Sequence, residues 1–204
     1  DDWNEDHYEV EAVYVGIKPI FSDGLKYYLR PSEINPFQYF SDSKIMKTIT
    51  DTLNLAPQGK NFLTADWPAP ANVKTLITTR NGGVSEGVYR SLNVGSHVGD
   101  NLEAVLRNRE IVQEQVGLPI AYLYQIHSTI VVNAAEALGN TPDADASVDT
   151  TGTVACASMT ADCLPVLFCD KAGTVVAAAH AGWRGLAGGV LQNTIAAMNV
   201  EPLE

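Results

Sequence analysis

Apolar residues recur along this chain with two different periods. In "NLEAVLRNREIVQEQVGL" they fall at Leu102, Val105, Leu106, Ile111 or Val112, and Val116, the spacing of one helix face. Asp100 or Asn101 stands where an N-cap is needed, and Gly117 where the pattern stops. Further on, "TVACASMT", "CLPVLFCD" and "TVVAAAHA" are short apolar runs parted by turn residues, the pattern of a sheet buried on at least one face. "VKTLITTR" predicts a strand ending at the "NGG" turn, and "AYLYQIH" and "TIVVNA" predict two more around His127. "GLAGGVLQNTIAAM" predicts a helix weakened by Gly188 and Gly189, with Leu186, Val190, Leu191 and Ile195 available for its inner face.

The first sixty residues differ in character. "DDWNEDHYEVE" is an acidic, solvated end that leaves His7 without a role. "VEAVYVGI" and "GLKYYLR" predict a hairpin, and "SDSKIMKTITDTLNL" a short amphipathic helix. Pro57 and Gly59 then punctuate the chain, so a boundary is expected near residue 60, between an unassigned segment 1–60 and a main domain 61–204. Strands in succession, interrupted by a few helices, predict an α+β architecture. The last residues, "VEPLE", follow directly on a helix and a proline turn, from which an incomplete domain is expected.

Composition narrows the partners. The 204 residues are 46% hydrophobic and 18% charged, ample for a buried core. A net charge of −11 argues against nucleic acid and against an anionic membrane surface, while local arginines still permit an anionic small molecule. No apolar run reaches the ~18 residues of a membrane span. Cys156, Cys163 and Cys169 are an odd number within one apolar region, which fits reduced thiols and a cytoplasmic location better than a disulfide framework.

The candidate chemistry lies where strands end. A free cysteine usually packs as a small hydrophobe, and Cys156 and Cys169 read that way. Cys163 follows Thr160 and Asp162 and precedes Pro165, at the mouth of a strand. His180 closes the run "VVAAA" with small neighbours Ala179, Ala181 and Gly182, and Arg184 adds charge four residues on. His127 ends another strand. One thiol and two imidazoles could supply three ligands with a fourth position open, the arrangement of a catalytic zinc that lowers the pKa of bound water to ~7. Spacing alone leaves packing and ligation both open. H-E-x-x-H, the nucleobase-deaminase signature and G-x-S-x-G are absent. Arg80 beside the Gly-Gly turn, and Asn93, Ser96 and His97 in a glycine-punctuated loop, suit an anion or a hydroxyl.

Taken in order, "TTRNGGVS", "SLNVGSHVGDN", "NR" at 108–109, "YQIHS", "ADAS" at 144–147, "MTADCLPVLFCD" and "AAAHAGWRG" closely resemble the YfiH family, variously called laccase-like polyphenol oxidase, purine nucleoside phosphorylase and peptidoglycan editing factor. The resemblance runs from about Trp67 to about Met198. It implies zinc ligation by His127, Cys163 and His180. It also implies a cytosolic α/β/β/α mixed sandwich akin to the cytotoxic-necrotising-factor fold, and an enzyme taking purine nucleosides and phosphate. The implied reactions are phosphorolysis of adenosine, inosine and methylthioadenosine, and adenosine deamination. Beside the ligands, Asp162 is the candidate for proton transfer or for supporting Cys163 as a ligand, Arg184 and Arg80 for holding phosphate, and Asn93 for the sugar or base. Residues 1–60 match nothing in the family. The family's C-terminal strand and Gly-Pro-Ala-Ile-Gly motif are missing after Glu204, so the sandwich is expected to lack its C-terminal strands unless the N-terminal segment supplies them. A monomer or weak homo-oligomer is expected. The alternatives are a metal-free amidase or hydrolase of peptidoglycan precursors with Cys163 as nucleophile and His180 as base, a copper polyphenol oxidase, and a non-catalytic fragment.

Overall fold

In the computed structural model, which describes residues 11–17, 56–57 and 62–200, the chain forms two β-sheets that share a core. The strands are β1 (Glu11–Ile17), β2 (Ala56–Pro57), β3 (Phe62–Thr64), β4 (Val73–Thr78), β5 (Ile120–Ala121), β6 (Val131–Asn133), β7 (Ala146–Asp149), β8 (Ala155–Thr160), β9 (Leu164–Cys169) and β10 (Val176–Ala181). The α-helices are α1 (Leu102–Val116), α2 (Trp183–Gly188) and α3 (Val190–Met198). One sheet has the order β2-β3-β4-β1-β8-β5 and the other β6-β7-β10-β9. Both are mixed, since β5 runs parallel to β8 and β6 parallel to β7 while the remaining pairs are antiparallel.

Alternation along the strands assigns each face. In β8, Ala155, Ala157 and Met159 meet Val112 of α1, whereas Cys156 points the other way, toward Val176 and Ala178 of β10. In β10, Ala177, Ala179 and Ala181 lie on the face that packs against Val190, Leu191 and Met198 of α3. Every residue of β10 is buried, and its alanines let a sheet and a helix approach from opposite sides. By the same period of two, His180 falls on the inter-sheet side, at the strand's last turn before α2.

Several elements depart from the pattern-based expectation for stated reasons. "TVACASMT", "CLPVLFCD" and "TVVAAAHA" are all strands, but they do not share a sheet: β8 pairs with β1 and β5, and the chain crosses over at 161–163 before β9 pairs with β10. "AYLYQIH" forms only the last residue of β5, Ala121, and a single bridge at Tyr124. Beyond that bridge the Gln125 side chain does the pairing, accepting from Met159 N at 2.8 Å and donating to Met159 O at 2.6 Å. The "GLAGG" helix is broken into α2 and α3 at Gly189, whose φ of 99° no helix accommodates. In α1, Asn101 accepts from Ala104 N and Gly117 closes the helix at φ 73°, yet Leu102 and Leu106 face solvent while Val105, Asn108 and Val112 are buried.

β1 sits between β4 and β8, so the six-stranded sheet draws on residues from both sides of the boundary expected near residue 60. The expected strand "GLKYYLR" and the expected helix over 41–55 lie outside the described residues. Among the described residues no helix is long and apolar enough to cross a membrane.

Candidate metal centre

Three chain segments converge at one end of the two sheets: the turn after Gln125, the crossover into β9, and the end of β10. They bring together His127, Cys163 and His180, whose ligand atoms all lie within 4.8 Å of one another. Cys163 Sγ is 3.8 Å from His127 Nε2, and the two imidazoles meet edge to face with centroids 4.9 Å apart. His180 is buried, Cys163 half-buried and His127 exposed, so the cluster is closed behind and open in front.

A buried carboxylate organises this convergence. Asp145, fully buried one residue before β7, accepts from His127 N at 2.9 Å, Ser128 N at 2.6 Å, Ser128 Oγ at 2.7 Å and, more weakly, Ile126 N at 3.3 Å. Its Oδ1 is also 2.8 Å from His180 Nδ1, and its main-chain carbonyl accepts His180 N at 2.7 Å. Burial alone would push this carboxyl up, but the hydrogen bonds from His180 and Ser128 outweigh it and hold Asp145 below the usual carboxylate range. A carboxylate can only accept, so His180 donates through Nδ1–H and keeps Nε2 as its lone-pair nitrogen. The same clamp straddles His127, whose φ of 60° is left-handed in a residue that is not glycine.

The residues fit a bound ion. Bonds of about 2.0–2.3 Å to one tetrahedral ion put ligand atoms roughly 3.3–3.8 Å apart, a contraction of at most about 1.5 Å from the spread observed. Gly182 leaves the room. A Cβ there would lie 2.8 Å from His127 Cδ2, 3.0 Å from Cys163 Sγ and 3.4 Å from His180 Cε1. Gly185 and Gly188 likewise let α2 approach the His127 turn, since a Cβ at either would come within 2.8 Å of Ser128 O or Thr129 Cγ2. The thiol of Cys163 is held high by burial first, then by Asp162 and Asp145. A thiol so placed is a poor free nucleophile, and a cation beside it reverses that bias.

The other expected site residues are placed as follows. Asp162 is exposed beside Cys163, and Thr160 Oγ1 donates to the Cys163 carbonyl, fixing the crossover. Arg184 is exposed in the first turn of α2, its guanidinium 5.3 Å from the Trp183 ring. Arg80 is exposed and donates from Nε to the Arg90 carbonyl at 3.1 Å. Asn93 is buried with its amide engaged internally, donating to Asp100 at 2.9 Å and accepting from Gly95 N at 3.0 Å. Asn108 knots the same loop, donating to Ser85 Oγ, Ser91 O and Asn93 O. Gly182 was expected, with Ala179 and Ala181, to leave room for a ligand or metal beside His180, and it lies against all three side chains of the cluster; sequence reasoning assigned no role to Asp145 or Gln125. An aspartate in the "ADAS" segment and a glutamine before a histidine have no local feature that sets a role until the fold brings their partners to them. Arg109, one of the "NR" pair that carries the resemblance but was given no role, sits 4.0 Å over the Tyr122 ring and donates to Val94 O; burial first, then this guanidinium, lowers His97 below the ordinary histidine range.

This is a mixed α/β scaffold that presents a His-Cys-His cluster able to hold a metal. The sequence profile of the family described as multi-copper polyphenol oxidoreductase laccase matches residues 74–203, and the chain belongs to that family, which includes the YfiH proteins. A purine nucleoside phosphorylase of Pseudomonas aeruginosa is 51% identical over 139 residues, covering 68% of this chain and 57% of its own length. The Escherichia coli protein named purine nucleoside phosphorylase YfiH is 46% identical over 143 residues, covering 69% and 59%. Among solved structures, a Neisseria meningitidis protein is 87% identical with a TM-score of 0.68, covering 69% of this chain and 58% of its own. A Bacillus licheniformis protein, YfiH, is 27% identical with a TM-score of 0.59, covering 70% and 57%. The chain thus spans under two thirds of the length of these relatives.

Proposed function

We propose that this chain carries the zinc centre of a cytoplasmic purine nucleoside phosphorylase that cleaves adenosine, inosine and methylthioadenosine and also deaminates adenosine. The observation that supports this reading is the convergence of His127, Cys163 and His180 within 4.8 Å around the gap left by Gly182, in a chain whose relatives are named purine nucleoside phosphorylases. The α/β/β/α layering and residues 61–204 form the frame, with β1 as an inner strand and a monomer or weak homo-oligomer as the assembly.

His127, Cys163 and His180 would hold the zinc, which supplies Lewis acidity toward a substrate oxygen. Arg184 and Arg80 hold phosphate by paired N–H donors as its oxygen bonds to the ribose carbon and the glycosidic bond breaks. The departing base takes a proton, for which exposed Asp162, at the lip of the cluster, is the relay. Asn93 serves through the loop it knots, since its amide is committed to Asp100 and Gly95. A high thiol at Cys163 disfavours the metal-free amidase. The copper polyphenol oxidase needs many imidazoles, and the chain has four histidines, two of them in this cluster.

Inosine and phosphate are incubated with metal-loaded protein, and hypoxanthine and ribose 1-phosphate are quantified. Equimolar products that require phosphate, vanish with a chelator and return with zinc are expected. Stoichiometric zinc without base release from any of the three nucleosides would overturn the reading.

A further inference from the structure

We propose that Asp145 is the positioning residue of this centre: its carboxylate sets the tautomer of His180 and the backbone of His127, so that both imidazoles reach one ion. The inference rests on the metal-centre reading of the cluster, but its first test is made on metal-free protein and stands or falls separately.

The donors around Asp145 carry it. Oδ1 takes His127 N–H and the His180 ring, and Oδ2 takes Ser128 N–H, Ser128 O–H and the weaker Ile126 N–H. These partners converge on a side chain with no exposed surface, and three are consecutive main-chain amides. A fixed acceptor at His180 Nδ1 keeps the proton on that nitrogen and leaves Nε2 to a metal. Without it, a neutral imidazole is free to carry its proton on Nε2, where it cannot ligate. At His127 a left-handed residue with a side chain costs on the order of 1–2 kcal/mol, and two or three charge-assisted hydrogen bonds to the turn offset it. One carboxylate therefore couples a ligand on β10 to a ligand on a separate turn, two segments that no strand pairing among the described residues joins directly.

Asparagine is the discriminating replacement. Every neighbour of the carboxylate donates, so the amide NH2 of Asp145→Asn must face donors whichever way it turns. Turned toward Oδ2 it opposes the amides of Ile126 and Ser128. Turned toward Oδ1 it donates to His180 Nδ1 and drives the ring proton to Nε2.

The test begins with long-range ¹⁵N NMR of the histidine rings in metal-free wild-type protein at about pH 8, above the ordinary histidine range. His180 is expected as the Nδ1–H tautomer, and an Nε2–H tautomer would overturn the proposal. Zinc affinity is then measured by competition with a chromophoric chelator for wild type, Asp145→Asn and Ser128→Ala, with a melting curve for each. A loss of about 10- to 100-fold is expected for Asp145→Asn, together with a switch of His180 to Nε2–H. Ser128→Ala, which leaves the His180 contact in place, is expected to lower the melting temperature while keeping affinity within about 3-fold. Equal affinity losses for the two variants, or an Asp145→Asn affinity within about 3-fold of wild type, would overturn the assignment. If Asp145→Asn does not fold, the wild-type tautomer alone decides.

Discussion

Replacing Gly182 by alanine tests the cradle with a single carbon. The backbone at 182, φ −60° and ψ 155°, is open to any L-residue, so the substitution carries no conformational penalty of its own. As an N-cap, alanine costs up to about 1 kcal/mol relative to glycine, a global cost that metal-free melting reports. The effect therefore falls on the ligands. Carbon atoms rest at about 3.5–4.0 Å, whereas the new methyl would stand 2.8 Å from His127 Cδ2 and 3.0 Å from Cys163 Sγ. Relief requires His127 to retreat by about 0.7 Å or more, and metal–ligand bonds tolerate only about 0.2 Å. The His127 turn cannot follow freely, because Asp145 holds the amides of both His127 and Ser128. Gly182→Ala should keep its fold, with a melting temperature within a few degrees of wild type in metal-free protein, and lose at least about 10-fold in zinc affinity. Chelator competition and metal-free melting curves read the two quantities separately. Wild-type zinc affinity in this variant would refute the claim that one ion sits among the three side chains Gly182 faces.

Three further outcomes are expected. Cys163→Ala and His180→Ala should each abolish stoichiometric zinc while Cys169→Ala retains it, since Cys169 packs at the far end of β9 against the inter-sheet core; metal analysis of the three proteins checks this, and equal loss in all three would refute it. Arg184→Lys should cut phosphorolysis by about 10-fold or more with zinc content unchanged, because an ammonium cannot reproduce the guanidinium fork; equal losses of phosphorolysis and deamination would make Arg184 a general binding residue. The third concerns alkaline pH. Burial pushes the Cys156 thiol up from 9.0 to about 12, so between those values the folded chain keeps a proton that the unfolded chain releases. Stability from this group is complete below about pH 9 and falls as pH rises toward 12, by at most about 4 kcal/mol. Denaturant titrations at several alkaline pH values should show a steeper decline for wild type than for Cys156→Ala, and parallel declines would contradict the account.

Much of this architecture was legible because local chemistry and tertiary context agree. The N-cap at Asn101, the left-handed stop at Gly117 and the apolar runs of β8, β9 and β10 all form as the pattern dictates. The three residues of the His-Cys-His cluster were legible only jointly, through the segments that resemble the YfiH family, because each lies alone on its own strand end or turn. What was not legible depends on neighbours distant in sequence. Periodicity cannot say that β8 joins one sheet and β9 another, nor that a glutamine side chain takes over strand pairing after Tyr124. Leu102 and Leu106 fit the helical period but sit outside, because the buried stripe is centred on Val105, Asn108 and Val112, with Asn108 satisfied by the 85–93 loop. Asn93 read as a ligand for sugar or base, yet its amide closes its own loop. Asp145 lies in the "ADAS" segment, yet nothing local gives it a role, because a buried carboxylate declares itself only through the donors the fold brings to it.

The central claim is that one metal ion is held by one thiolate and two imidazoles at the meeting of these three segments. Zinc-edge X-ray absorption of the zinc-loaded chain measures that coordination directly. The account predicts one sulfur at about 2.3 Å, two imidazole nitrogens at about 2.0–2.1 Å and one further light atom. A shell of oxygen and nitrogen alone, with no sulfur and no imidazole scattering, would contradict it.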